Sequence, residues 1–308
     1  MKNKVQPFLF LSVSLFLLVN MLLFSKNAVY FAALGLNLWF ERMIPSLFPF
    51  MILSGILVKT GFSEKIASFF YPVLGQIFGL SYSCIYVILM GFLCGFPMGA
   101  SVISENLQLH KISKREVSYL LAFTNNIGPV YFISFVSVVC PCIPLKISFA
   151  IMYGIPLLYG IILRYTCYKD LSTKKRGLTS SSTLSSSLLH TIDSSIQSSI
   201  ESITKLGGYM ILFNLLNLLL YFPYLIIPKK IRYLSSCLLE ISGGIQLLKT
   251  QTDLFPFVYI ILPFGGLSCI AQTYHFIKNT GLSIKSYLGH KIIQTACTAI
   301  VYFLFMCL

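Results

Sequence analysis

Residues 84–103 read CIYVILMGFLCGFPMGASVI, an uncharged apolar run interrupted near its middle by Gly95, Pro97 and Gly99. About 20 mostly apolar helical residues cross the hydrocarbon of a bilayer, so the run has the length of a span. Proline removes a helical donor and glycine admits a sharp turn. Unpaired backbone amides are costly in lipid, and such an interruption survives only where protein or a water-filled cavity surrounds it. The stretch therefore predicts a helix that breaks inside a membrane protein.

The flanking sequence extends this reading. Further apolar runs cover 7–24, 117–139, 143–163, 206–227, 255–277 and 284–307, each a span or near-span. They are continuous, unlike barrel strands, which alternate polarity over about 10 residues. The 308 residues are 56% hydrophobic and only 10% charged. Soluble domains carry roughly a quarter charged residues, so a soluble fold is excluded. The expected fold is all-α: a polytopic integral membrane helix bundle with broken or re-entrant helices, whose first partner is the lipid bilayer.

The net charge of +14 would suggest nucleic acid in a soluble protein. Here the basic residues fall mostly in short gaps between apolar runs, as orientation charges do, and no nucleic-acid partner is expected. The densest group, Arg164, Lys169, Lys174, Lys175 and Arg176 with Asp170, assigns its loop to the cytoplasm. Lys2 and Lys4 precede the first run as in an export signal, but no small-x-small site follows it, so a retained helix is expected. The cysteines lie mostly in apolar runs, and Cys140-Pro141-Cys142 lacks zinc-site spacing, so no metal or cofactor is expected.

Order along the chain suggests two related halves. A shift of 170 residues sets Gly95 on Gly265, Ile112-Ser113 on Leu282-Ser283, Arg115 on Lys285 and Thr124 on Gln294. Upstream, Phe50-Met51-Ile52-Leu53 matches Tyr209-Met210-Ile211-Leu212, and Lys65-Ile66 through Gly79 matches Lys230-Ile231 through Gly244. Counting crossings between the matched segments makes the second repeat inverted, which would turn Lys278, Lys285 and Lys291 outward. The expected division is an N-terminal membrane helix at 1–26, a first repeat at 27–140 and a connecting helix at 141–165. A basic Ser-rich cytoplasmic linker at 166–190 and a second repeat at 191–308 complete it. Amphipathic spacing at 188–205, with a counterpart at 30–43, predicts helices lying along the interface.

Three interruptions fall at membrane depth: Gly91 to Ser101, Thr124-Asn125-Asn126-Ile127-Gly128-Pro129, and Pro263-Phe264-Gly265-Gly266-Leu267-Ser268. Asn125 and Asn126 place two carboxamides in an apolar run and must meet other helices, water or a substrate. The amides around Gly95, Gly99 and Ser101 are free to bind an anion. Thr124, Ser268 and Gln272 join the candidate binding set, with His275, Gln294 and Thr295 as weaker members. Packing between helices is the alternative role for all of them. Glu105 and Glu240 are the acids nearest the membrane segments and could carry a coupling proton or cation. No phosphate loop or zinc helix is present. Gly266-Leu267-Ser268-Cys269 with His290 or His275 only loosely imitates an intramembrane serine protease, and no enzyme is expected.

Leu47-Phe48-Pro49-Phe50, Gly95-Phe96-Pro97-Met98-Gly99-Ala100 and Phe123-Thr124-Asn125-Asn126 with Gly128-Pro129 resemble the YlbJ-type sporulation integral membrane proteins, of the nucleoside-recognition (Gate) domain family. The resemblance covers about residues 27 to 305, with Cys94 and Met98 replacing the family's usual residues. It implies a membrane protein of endospore-forming bacteria, distantly similar to concentrative nucleoside transporters, in which paired broken helices surround the substrate. It also implies a small anionic or heteroaromatic cargo, with dipicolinate as the natural candidate, and a cell-membrane location that includes the membranes around the forespore. Homo-oligomers or other sporulation membrane proteins are the implied protein partners. The competing class is a non-transporting scaffold for spore-envelope assembly, docking through the basic loop.

Overall fold

The apolar runs become helices throughout, and the glycine and proline positions decide where those helices stop. The computed structural model describes residues 5–171, 188–221 and 227–307. Helix α1 (Val5–Leu23) turns at Phe24 into α2 (Ser25–Leu38). A π-helical turn at Trp39–Met43 carries α2 into α3 (Ile44–Lys59). Next come α4 (Phe62–Phe78), α5 (Tyr82–Cys94) and α6 (Met98–Gln108). Helix α7 (Lys114–Thr124) opens on a capping box in which Ser113 and Glu116 satisfy each other's backbone donors. It stops at Asn125 and resumes as α8 (Pro129–Tyr131), a π-helical turn and α9 (Ser137–Val139), followed by α10 (Leu145–Thr166).

The second half begins with α11 (Leu188–Leu215) and α12 (Asn217–Leu220). Helices α13 (Lys229–Leu239) and α14 (Ile241–Leu247) meet at Glu240. Helix α15 (Phe255–Ile261) breaks before α16 (Gly266–Ile277), and α17 (Ile284–Cys307) completes the bundle. Among the described residues, six helical segments are long and apolar enough to cross a membrane, and α4 meets α5 at 95° as a further, bent pair. The chain is a multi-pass helical membrane protein.

Several sequence expectations are corrected by packing. The run at 84–103 is a hairpin: α5 and α6 lie side by side with Gly95-Phe96-Pro97 at the tip. The segment at 30–43 does not lie along the interface but belongs to the long span Ser25–Lys59. The segment at 188–205 likewise belongs to a span, Leu188–Leu220. Its polar stripe of Thr191, Ser195 and Ser199 is buried, because small hydroxyl residues let α11 pack closely on α3, with Ser195 against Gly55. The amphipathic helix bent away from the spans is instead α4, whose Phe69, Phe70 and Val73 are exposed while Ala67 and Phe78 are buried. Most of the basic Ser-rich loop, 172–187, lies outside the described residues.

Two hairpins organise the bundle. Helix α5 of the first touches both α7 and α8; helix α13 of the second touches both α15 and α16. Helix α10 packs on α7, and α17 packs on α15. Each hairpin thus lies against a broken helix. The shift that sets Gly95 on Gly265 joins a hairpin tip to a helix break. Lys229, Lys230 and Arg232 sit at the mouth of the second hairpin, and Glu240 is its tip.

The hairpins open at opposite ends of the bundle. The turn before α7 lies beside the turn before α17, with Lys114 next to Gly281. At the same end Lys111 donates to the Val58 carbonyl at 2.8 Å, and Lys59 to Ser194 at 3.1 Å. At the far end of α15–α16, Lys230 pairs with Asp253 at 2.6 Å. Lys278 and Lys285 therefore share the end of Lys59, Lys111, Lys114 and Arg115 rather than facing outward. Basic residues are concentrated at this end, the pattern that the positive-inside rule associates with a cytoplasmic face. Arg115 is engaged by Asp170 at 3.1 Å, so it is not a free charge at the mouth, and its guanidinium holds that carboxyl below the usual carboxylate range.

Arg164, read from sequence as a loop charge, is the buried C-terminal anchor of α10, only 7% exposed. Its guanidinium donates to the carbonyls of Phe78 at 2.6 Å, Tyr168 at 2.7 Å and Leu171 at 2.9 Å. A cation at the end of α4 satisfies carbonyls that the helix leaves open and holds the 95° bend. Arg164→Met should lower stability by roughly 3 kcal/mol, since several buried carbonyls lose a charged donor together. Thermal unfolding in detergent measures it, and an unchanged melting temperature would refute the anchor role.

Candidate functional site

The hairpin tips and helix breaks converge. A methyl at Gly95 would lie 2.2 Å from the Gly128 nitrogen, so the first hairpin tip crosses the break after α7 in direct backbone contact. One turn away on each side, Gly91 faces the Thr124 carbonyl and Gly99 faces Asn125. The Phe96 ring covers Gly265, which brings the break between α15 and α16 to the same place. A cavity of about 50 Å³ lies at the junction, lined among others by Phe96, Ile127, Gly128, Glu240, Gly265 and Gln272. Both hairpin tips and both broken helices contribute to its wall. Small-molecule pockets run to about 300 Å³ or more, so the site is closed around its centre.

Glu240 is 2% exposed and caps α14: its carboxylate accepts from Gly243 N at 2.6 Å, Ser242 N at 3.2 Å and Asn214 Nδ2 at 3.0 Å. Behind Phe96 lies a buried polar cluster that ties the halves together. Asn125 Nδ2 donates to Thr273 and to Tyr287, each at 2.9 Å, and Asn125 Oδ1 has no partner. Lys291 Nζ donates to Asn126 Oδ1 at 2.9 Å and Gln294 Oε1 at 3.0 Å. Gln294 in turn donates to the Ala122 carbonyl at 2.7 Å.

The match is to a Gate domain. Residues 40–156 fit that family, described as nucleoside recognition, and contain both the first hairpin and the first helix break. Over 336 aligned positions the chain is 25% identical to the sporulation integral membrane protein YlbJ of Bacillus subtilis (strain 168), covering 97% of this chain and 82% of that one. No solved structure matches.

Within this Gate arrangement the expected residues divide into three groups. Gly95 and Gln272 border the junction, with Ser268 fully buried behind and accepting from Gln272 at 3.0 Å. Gly99, Asn125 and Asn126 belong to the cluster behind Phe96, whereas the Thr124 hydroxyl bonds within its own helix, to Leu120. Ser101 faces elsewhere: with Glu105, Lys59, Ser54, Ser198 and Ser199 it lines a second, polar chamber of about 300 Å³ on the Lys59 side. Gln294 joins the cluster, Thr295 bonds along its own helix, and His275 packs on Phe276. His290 bonds Tyr159 at 2.7 Å, so neither His290 nor Ser268 is paired with the other.

Lys291 is the residue that sequence reading misplaced: treated as an orientation charge, it is 0% exposed. A signal was available in its spacing, since Lys291 and Gln294 lie three apart on one face of a long, largely apolar helix that also carries Lys285, His290 and Thr298.

Proposed function

We propose that the protein is a membrane transporter or facilitator for a small anionic or heteroaromatic metabolite, acting in spore formation. The observation that carries this reading is the meeting of two hairpin tips and two helix breaks around one small cavity, with Glu240 and Gln272 in an otherwise largely apolar wall. Backbone irregularity of this kind is tolerated at membrane depth where it forms a site. Hairpins that open at opposite ends support an inverted repeat, an arrangement that secondary transporters use to alternate access around a midplane site. The polar chamber extends along helices α3 and α11, which also line the inner cavity. Helix α3 supplies Ser46 and Leu47 to the cavity and Ser54 and Lys59 to the chamber. Helix α11 supplies Met210 and Leu206, then Ser199 and Ser198. In this reading the chamber, with Met51 and Met98 in its lining, is the entry route from the cytoplasmic end.

The sporulation relative supports a role in spore formation; the location we propose is the cell membrane or a membrane around the forespore, and the cargo we propose is dipicolinate, with a nucleoside as the competing cargo. We assign no catalytic step and no cofactor. Reconstituted protein should take up labelled dipicolinate saturably into liposomes, and Asn125→Ala/Asn126→Ala protein that remains folded should be slower by about tenfold or more, the effect of losing a net hydrogen bond or two. Absence of uptake of dipicolinate or a nucleoside under any proton gradient, from monodisperse helical protein, would overturn transport of both. The scaffold reading, with docking through the loop at 171–187, would then stand.

A further inference from the structure

Lys291 is enclosed by groups that accept. Asn126 Nδ2 donates to the Phe123 carbonyl at 2.6 Å, and Gln294 Nε2 to the Ala122 carbonyl at 2.7 Å. A backbone carbonyl cannot donate, so both amide groups must turn their oxygens toward Nζ. The remaining contacts are ring faces, Phe96 with its centroid 5.0 Å from Nζ and Tyr287 at 5.9 Å. Carbonyl oxygens and aromatic faces present negative potential, which is a lining suited to an ammonium. Yet among the described residues no carboxylate pairs with Lys291; the ion pairs there join Arg115 to Asp170, Lys205 to Glu201 and Lys230 to Asp253. A cation inside a membrane bundle is expensive without a counter-ion and marks a functional position.

Geometry relates this charge to the cavity. Phe96 covers Nζ and also forms part of the cavity wall, so one ring separates the ammonium from the space between the hairpins. Glu240 borders the same cavity, with its oxygens already occupied by Asn214, Ser242 and Gly243. An anionic group in the cavity is therefore repelled by Glu240 and attracted by Lys291 behind the Phe96 ring.

Resting on the transport reading, we propose that Lys291 selects the cargo: a small carboxylate displaces the Phe96 ring and pairs with Nζ, so the species carried is an anion and not a neutral nucleoside. Movement of the Phe96 ring couples binding to the first hairpin tip.

Binding in detergent tests this apart from transport. Wild-type protein should bind dipicolinate by calorimetry, and neither uridine nor the uncharged diamide of dipicolinate should compete. Lys291→Gln should weaken dipicolinate binding by about thirtyfold or more, as expected for removing one partner of a buried charge pair, while Lys291→Arg should keep part of it. Folded Lys291→Gln binding dipicolinate like wild type would overturn the proposal. So would competition by the diamide, preference for uridine, or no carboxylate binding by wild type. The diamide comparison needs no variant and tests the carboxylate requirement even if Lys291→Gln fails to fold, and Lys291→Arg then tests the residue. Dipicolinate binding without uptake would refute transport and leave the role of Lys291 intact, whereas uptake insensitive to Lys291→Gln would do the reverse.

Discussion

Gly95→Ala protein should not accumulate as a monodisperse species, whereas Gly154→Ala protein should behave as wild type. Gly95 has φ +80° and ψ −162°, a conformation that only glycine adopts comfortably, and side chains forced there cost about 1–3 kcal/mol. The added methyl would also lie 2.2 Å from the Gly128 nitrogen and 2.5 Å from its Cα. These are backbone atoms, so no flexible side chain can yield, and overpacking adds about 1–3 kcal/mol more. Proteins are stable by only about 5–15 kcal/mol, so the combined loss removes a large share. Gly154, on α10, has nothing within 4 Å of an added methyl and serves as the control. Size-exclusion profiles of the two variants measure the difference. Equal recovery of both would show that the hairpin does not cross the break closely.

Glu240→Ala should destabilise the second hairpin and, through the disordered hairpin tip, lower uptake. The side chain caps α14, and replacing an acidic cap by alanine costs about 0.5–2 kcal/mol. Its removal leaves the Ser242 and Gly243 amides and Asn214 Nδ2 without this acceptor; a buried donor left unmade costs about 1–3 kcal/mol. Glu240→Gln retains one acceptor oxygen but turns an NH2 group toward donors, so it should fall between wild type and alanine. Thermal unfolding and liposome uptake, run together, check both effects. A Glu240→Ala protein with wild-type melting and uptake would remove the second hairpin tip from the site.

How much of the site was legible depended on which neighbours each residue needed. The breaks at Gly95-Phe96-Pro97, Asn125 to Pro129 and Gly265-Gly266 were readable because proline and glycine act on their own backbone. The buried amides of Asn125 and Asn126 were readable because lipid offers them no partner. Ser101 was assigned to the central site but lines the outer chamber, since a helix turns its side chains away from the tip within one turn. Glu240 appeared as an acid near the membrane, but its burial at a hairpin tip against Asn214 of another helix was not legible. Arg164 and Lys291 were read as orientation charges, because a basic residue near an apolar run looks the same whether water or protein receives it.

The sequence by itself determined a multi-pass helical membrane protein with interruptions at three places, because hydropathy and backbone chemistry act segment by segment. Only the tertiary structure decided that 84–103 folds back as a hairpin while 255–277 crosses as a broken span. That choice depends on what packs against each break, Gly128 on Gly95 and Phe96 on Gly265. The tertiary structure also set hairpin against hairpin and buried Lys291 against Asn126, a contact between residues 165 positions apart. Lipid solvates every apolar face nearly alike, so hydropathy leaves the pairing of helices open; close backbone approach and polar groups that must find partners settle it.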